Sequence, residues 1–248
     1  MENFGKPNFS KKIESQEKEM DPKIKVRIPT KNDEIKRIRY TLEKIDWLKA
    51  NGYYPDFIIL PEYFQTIAKK LLLKEVTMGE MGYDEINNNL EYSPDDYLET
   101  DEYLKQEIVP KIKEVVKVFL KWNSEWGFKV FGEYSILLTK YGTGGSYKIN
   151  KDAVISHVRM NEGRDYYKTA VHEMVHLGIE DIIVNKFNLS HDEKERVVDL
   201  IIKDIIGLPL ESIWKEGDGE LVKLNEFVTP ETISDLPSAI EKYQNNNK

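Results

Sequence analysis

The stretch Ala170-Val171-His172-Glu173-Met174-Val175-His176-Leu177 places two histidines four residues apart, with a glutamate directly after the first. On a helix, positions i and i+4 lie one above the other on one face. Both imidazoles can therefore reach a single cation at the roughly 2.0–2.1 Å of a zinc–nitrogen bond. Glu173 follows about 100° further round the helix. It does not share the histidines' direction, but it is placed to take a proton from a zinc-bound water. Val171, Met174, Val175 and Leu177 make the neighbouring positions apolar, which suits a buried helix rather than a solvated one. An H-E-x-x-H pattern in that setting points to metal-assisted hydrolysis.

Composition narrows the chemistry. The chain has 248 residues, enough for a sizeable core, and contains no cysteine. Cysteine-ligated metal and disulfides are thereby excluded, so any zinc must rest on His, Asp or Glu. Three of the four histidines, His172, His176 and His191, fall in one short stretch. The formal net charge of -8 argues against a nucleic-acid or anionic-membrane partner, since phosphate needs a cationic surface. There is no apolar run of membrane-spanning length and no apolar segment resembling a secretory signal in Met1 to Met20. These features lead us to expect a cytoplasmic protein.

Working outward from the motif, residues 1–30 read as a mobile arm rich in Lys, Glu, Ser and Asn. Residues 31–125 read as a mainly helical region. Ile35, Ile38, Leu42, Ile45 and Leu48 have helical spacing, and Asn51-Gly52 stops that helix. Phe57 to Leu60 is expected to be a short buried run, with Pro61 opening the next helix. Residues 77–96 read as a loop, and a long helical pattern interrupted at Pro110 continues to Trp122. This half carries no residue set that looks like chemistry.

At Phe128 the period changes. Strands are expected over 128–140, 147–150 and 153–159, with a glycine-rich turn at 141–146. The order of helices, then a small and mostly antiparallel sheet, then the metal helix makes an α+β domain. The strand at Gly145, Ser146 and Tyr147 can offer its edge to an extended peptide, because glycines permit close backbone approach. The metal helix is expected to end near Phe187-Asn188. Ser190 with Glu193 forms a capping box for a second helix running to about Ile206. Val198, Ile201, Ile202 and Ile205 are its buried stripe, and the same stripe followed backwards reaches Glu195 and His191. Residues 211–248 read as a C-terminal extension, with a short helix after Pro230 and a frayed end from Gln244.

A catalytic zinc takes three protein ligands and a water. The metzincin third histidine is excluded, because Ile179 and Ile182 occupy the glycine and histidine positions. Glu195, on the next helix, is the choice, with Asp199 one turn later. His191 on the same stripe is the competing ligand, and an all-histidine set would resemble SprT-like proteases.

With this spacing the chain resembles the gluzincins, the thermolysin-like H-E-x-x-H metallopeptidases, over roughly residues 128–207. The resemblance implies a zincin-like metallopeptidase domain, here over 126–210, that hydrolyses peptide or protein substrates. It implies zinc on His172, His176 and Glu195, with Glu173 as general base. Asp199 would orient His172, and the strand at Gly145 to Ile149 would bind substrate. The family's transition-state residue would be supplied by His191, Tyr147, Tyr166 or Tyr167, since no histidine follows His191. A metal-binding protein of the same fold that cleaves nothing is the competing function.

Overall fold

The computed structural model describes residues 21–80, 82–150, 153–160, 165–208 and 219–246. Four strands form one sheet in the order β1 (Lys23–Arg27), β2 (Glu133–Thr139), β4 (Ala153–Arg159), β3 (Gly145–Asn150). β1 and β4 both run parallel to β2, and β3 pairs antiparallel with β4. The sheet is therefore mixed and mainly parallel, not mostly antiparallel as the sequence suggested. Alternation identifies strands but not their partners. The chain leaving β2 does not fold back as a hairpin. It passes through Gly142, at φ +84°, and takes the edge as β3, so that β4 enters between them. β2 is buried along nearly its whole length, as befits a central strand covered on both faces.

The expected arm over 1–30 ends sooner than its composition implied. Lys23–Arg27 joins the sheet, and residues 1–20 lie outside the described residues. Parallel pairing of β1 with β2 needs a long crossover, and the helices α1 (Lys31–Glu43), α2 (Ile45–Ala50), α3 (Glu62–Leu72), α4 (Tyr83–Asn88), α5 (Leu98–Tyr103) and α6 (Val109–Trp126) supply it. Pro110 sits in the first turn of α6, where its missing N–H is harmless, after a π-helical turn at Leu104–Ile108. Two expectations fail here. The loop at 77–96 contains α4, whose Ile86 is fully buried. Phe57 and Ile59 are exposed, because this segment is a turn held to the sheet through its backbone, by an Ile59–Gly142 bridge and an Arg159 hydrogen bond to the Phe57 carbonyl.

The apolar side chains form two clusters. α1 to α4 enclose Ile35, Ile38, Leu42, Phe64, Ile67 and Ile86. The larger core unites α6 and the sheet with α7 (Tyr166–Ile179), α8 (His191–Leu200) and α9 (Leu236–Asn246), through Phe119, Phe128, Ile136, Met174, Val198 and Leu236 among others. α9 extends through Gln244 to Asn246, where fraying was expected. Among the described residues no helix is long and apolar enough to cross a membrane.

Helix α7 is buried on nearly all sides, by Ala170, Val171, Met174, Val175, Leu177 and Ile179, and its position fixes the site. Gly178 lets the Phe128 ring press directly on the helix; a β-carbon there would collide with three ring carbons. Gly178→Ala is expected to cost about 1–3 kcal/mol through overpacking. It would appear as a lower urea midpoint at unchanged slope. A midpoint equal to the parent's would show that the ring has room to withdraw.

Candidate metal centre

The side chains in question come from two helices held at a fixed register. α7 starts at Asp165, whose carboxylate accepts the Lys168 N–H at 2.9 Å. It continues through a π-helical turn at Glu180–Asn185 and stops at Asn188, φ +50°, the stop expected at Phe187-Asn188. α8 opens with the expected capping box: Glu193 N–H donates to Ser190 Oγ (3.3 Å) and Ser190 N–H to Glu193 Oε2 (2.8 Å). Tyr243 on α9 donates its hydroxyl to Glu193 Oε1 at 3.0 Å, pinning the same end. Val197, Val198, Ile201 and Ile202 bury the core side of this helix and its π-helical continuation, leaving Glu195 aimed at α7.

His172 Nε2 and His176 Nε2 lie 2.9 Å apart. Glu195 Oε2 is 3.4 Å from the first and 3.2 Å from the second. Three ligands on one tetrahedral ion with bonds near 2.0–2.1 Å stand roughly 3.3 Å apart. This triangle therefore has the dimensions of a ligand set around a single small cation. Among the described residues no other trio of His, Asp or Glu ligand atoms gathers in this way. The cluster can hold a metal ion.

The electrostatics favour positive charge at this point, from a proton on His172 or from a cation in its place. Burial pushes His176 down to about 4, which leaves it neutral, the form a metal requires. Burial opposes ionisation of Glu195, but the contacts from His172 and His176 outweigh it and hold the carboxyl well below its usual range. Burial lowers His172 as well, yet Glu195, Glu173 and Asp199 carry it above its ordinary value. Glu173 is itself buried, and desolvation raises it to about 7.

The remaining expected residues fall around this triangle. Asp199 Oδ1 is 3.8 Å from His172 Nδ1, on the side away from the ligand atoms. His191 Nδ1 is 3.8 Å from Glu195 Oε1, so it stands beside the trio rather than within it. Gly145 crosses directly over Glu173: a β-carbon at 145 would collide with Glu173 Oε1. Glycine lets the edge strand pass this close without displacing the Glu173 carboxyl. Tyr147 stacks on the His176 ring at 5.3 Å and gives its hydroxyl to Glu180 Oε2 at 2.8 Å. Burial and that bond raise its pKa strongly, so it stays protonated and already committed. Tyr166, at the opposite end of α7, packs against Tyr103, and Tyr167 is its neighbour.

No family model, curated protein or solved structure matches this chain.

Arg37 was not anticipated. It is 6% exposed on α1 and donates to Ser146 Oγ (2.7 Å), Thr143 Oγ1 (3.2 Å), Thr143 O (3.4 Å) and Tyr141 O (3.3 Å). It thus clamps the loop that delivers the edge strand to Glu173. Burial lowers its pKa while Glu173 and Glu34 oppose that shift. Nothing in the sequence separates it from Lys36 and Arg39 beside it.

Alanine at His172, His176 or Glu195 is expected to reduce metal content from about one equivalent to near zero after zinc loading and dialysis. His191→Ala should retain the metal. Elemental analysis reads this directly; loss in His191→Ala with retention in Glu195→Ala would give the third position to His191.

Proposed function

We propose that this protein is a zinc-dependent metallopeptidase with a zincin-like catalytic domain. The observation that carries the reading is that a triangle of ligand atoms, a buried glutamate and the outer strand β3 of the described sheet meet at one point. Two imidazoles and a carboxylate form a donor set that catalytic zinc uses, and a glutamate directly after the first histidine is the companion of hydrolytic zinc rather than of the iron that takes the same donors. His172, His176 and Glu195 would hold it, with Asp199 beside His172. When bound, the ion supplies Lewis acidity toward a water and a substrate carbonyl.

The chain's own residues account for the rest. Among the described residues β3 pairs on one side only, so an extended peptide can add to its free edge by main-chain hydrogen bonds. Gly145 brings that peptide over Glu173. Burial opposes the charged form of Glu173, and a carboxyl so placed can both accept and return a proton. Glu173 takes the proton of the attacking water as its oxygen bonds to the carbonyl carbon. It then delivers that proton to the amide nitrogen as the carbon–nitrogen bond breaks. Arg37 and Thr143 hold the strand in register, and Tyr147 supports the His176 ring from beneath.

Glu173→Gln tests the assignment. It should keep its zinc while peptide cleavage, followed by mass spectrometry on a peptide library, falls by about 10²–10⁴-fold. Undiminished turnover would remove Glu173 from the base role. A zinc-loaded wild type that cleaves nothing would leave a metal-binding protein instead.

A further inference from the structure

Two helices beside the metal centre make contacts for which the peptidase chemistry has no use. α1 and α2 run from the edge strand to the start of α8, and both ends are anchored. At one end Arg37 Nη1 reaches Ser146 Oγ on β3 at 2.7 Å. At the other, Trp47 packs edge-on against His191, ring centres 5.5 Å apart and planes at 74°. Tyr40 stands on α1 one turn after Arg37. Tyr40 and Trp47 are 54% and 46% exposed.

The third ring is locked in place by backbone geometry. Asn51-Gly52 ends α2 in a Schellman turn: Gly52, at φ +75°, donates to Lys49 O (3.1 Å), and Tyr53 N–H donates to Leu48 O (2.8 Å). The turn lays Tyr53 against Trp47, rings 5.9 Å apart and nearly parallel at 17°. Burial, then the carboxylates of Glu195, Asp192, Asp199 and Glu173, raise the Tyr53 phenol, which puts it in the field of the metal centre.

Large rings held rigid at the surface carry apolar area with little conformational entropy left to lose, which is what recognition of a side chain needs. A peptide strand on β3 presents alternate side chains to the two faces of the sheet. Those on the face of Gly145 and Tyr147 turn toward the metal centre, beside which Trp47 packs on His191. We propose that Trp47 and Tyr53 form a recognition wall that takes a large apolar side chain of the bound peptide. This rests on the peptidase reading of the metal centre.

The test has two arms, both on the zinc-loaded full chain. Wild type and Trp47→Ala are profiled on a peptide library. In parallel, two peptides differing only in a central Phe or Ala are titrated calorimetrically into Glu173→Gln and into Glu173→Gln/Trp47→Ala. Phe or Leu should be preferred to Ala at one position by about ten- to hundredfold. Trp47→Ala should erase the preference at unchanged zinc content, and Trp47→Phe should restore most of it. An undiminished preference in Trp47→Ala overturns the wall and leaves the peptidase reading standing. Trp47-dependent selective binding without cleavage by wild type supports the wall and overturns the peptidase reading. Binding of neither peptide overturns both.

Discussion

One carboxylate oxygen, Glu195 Oε2, stands between two imidazole nitrogens that are themselves 2.9 Å apart. That convergence joins α8 to α7, and the surrounding structure serves to keep it in register. A longer or shorter connection through Asn188 and Leu189 would rotate or shift Glu195 away from the histidines. The capping box at Ser190 fixes where α8 begins, and so fixes which of its turns faces His172 and His176. Burial of α7 on nearly every side removes its freedom to turn. Both helices therefore have their polar atoms positioned by apolar packing elsewhere.

The two hydrophobic clusters meet beside the metal centre, and that seam is polar. Glu34, 1% exposed, accepts from Tyr97 Oη (2.6 Å), Thr139 Oγ1 (2.6 Å) and the Lys140 N–H (2.8 Å). Burial raises its pKa even so. Arg159 donates to the Phe57 and Gly142 carbonyls at 2.8 and 2.9 Å. With Arg37, these groups cross from the α1–α4 cluster to the end of β2 and the loop before β3. Buried charged groups add little to stability compared with apolar packing, but removing one partner leaves the others unpaired in a low dielectric. Such a seam sets the orientation of the helical cluster, and with it the distance between the edge strand, Trp47 and His191.

The metal-helix motif, the capping box at Ser190 and the stripe from Val198 back to Glu195 were legible because each depends on residues close in sequence. Helical period and side-chain chemistry place them without knowledge of the rest. Sheet order was not legible in this way. The apolar run Ile136-Leu137-Leu138 carried a cue that β2 is covered on both faces, as central parallel strands are, yet local turn chemistry at 141–146 reads equally well as a hairpin. β1 carried a local mark, the alternation of Lys23, Lys25 and Arg27 with Ile24 and Val26, but it is short and adjoins a polar stretch, and its pairing with a strand over a hundred residues away is not written locally. Arg37, Trp47 and Tyr53 were missed for the same reason. Their roles come from contacts with Ser146, His191 and each other that only the folded chain brings about.

X-ray absorption at the zinc edge of the zinc-loaded full-length protein tests the central convergence most directly. The account predicts a nitrogen and oxygen shell near 2.0–2.1 Å containing two imidazoles, with the carboxylate contribution lost in Glu195→Ala. A spectrum requiring three imidazoles, or one showing no imidazole at all, would contradict it.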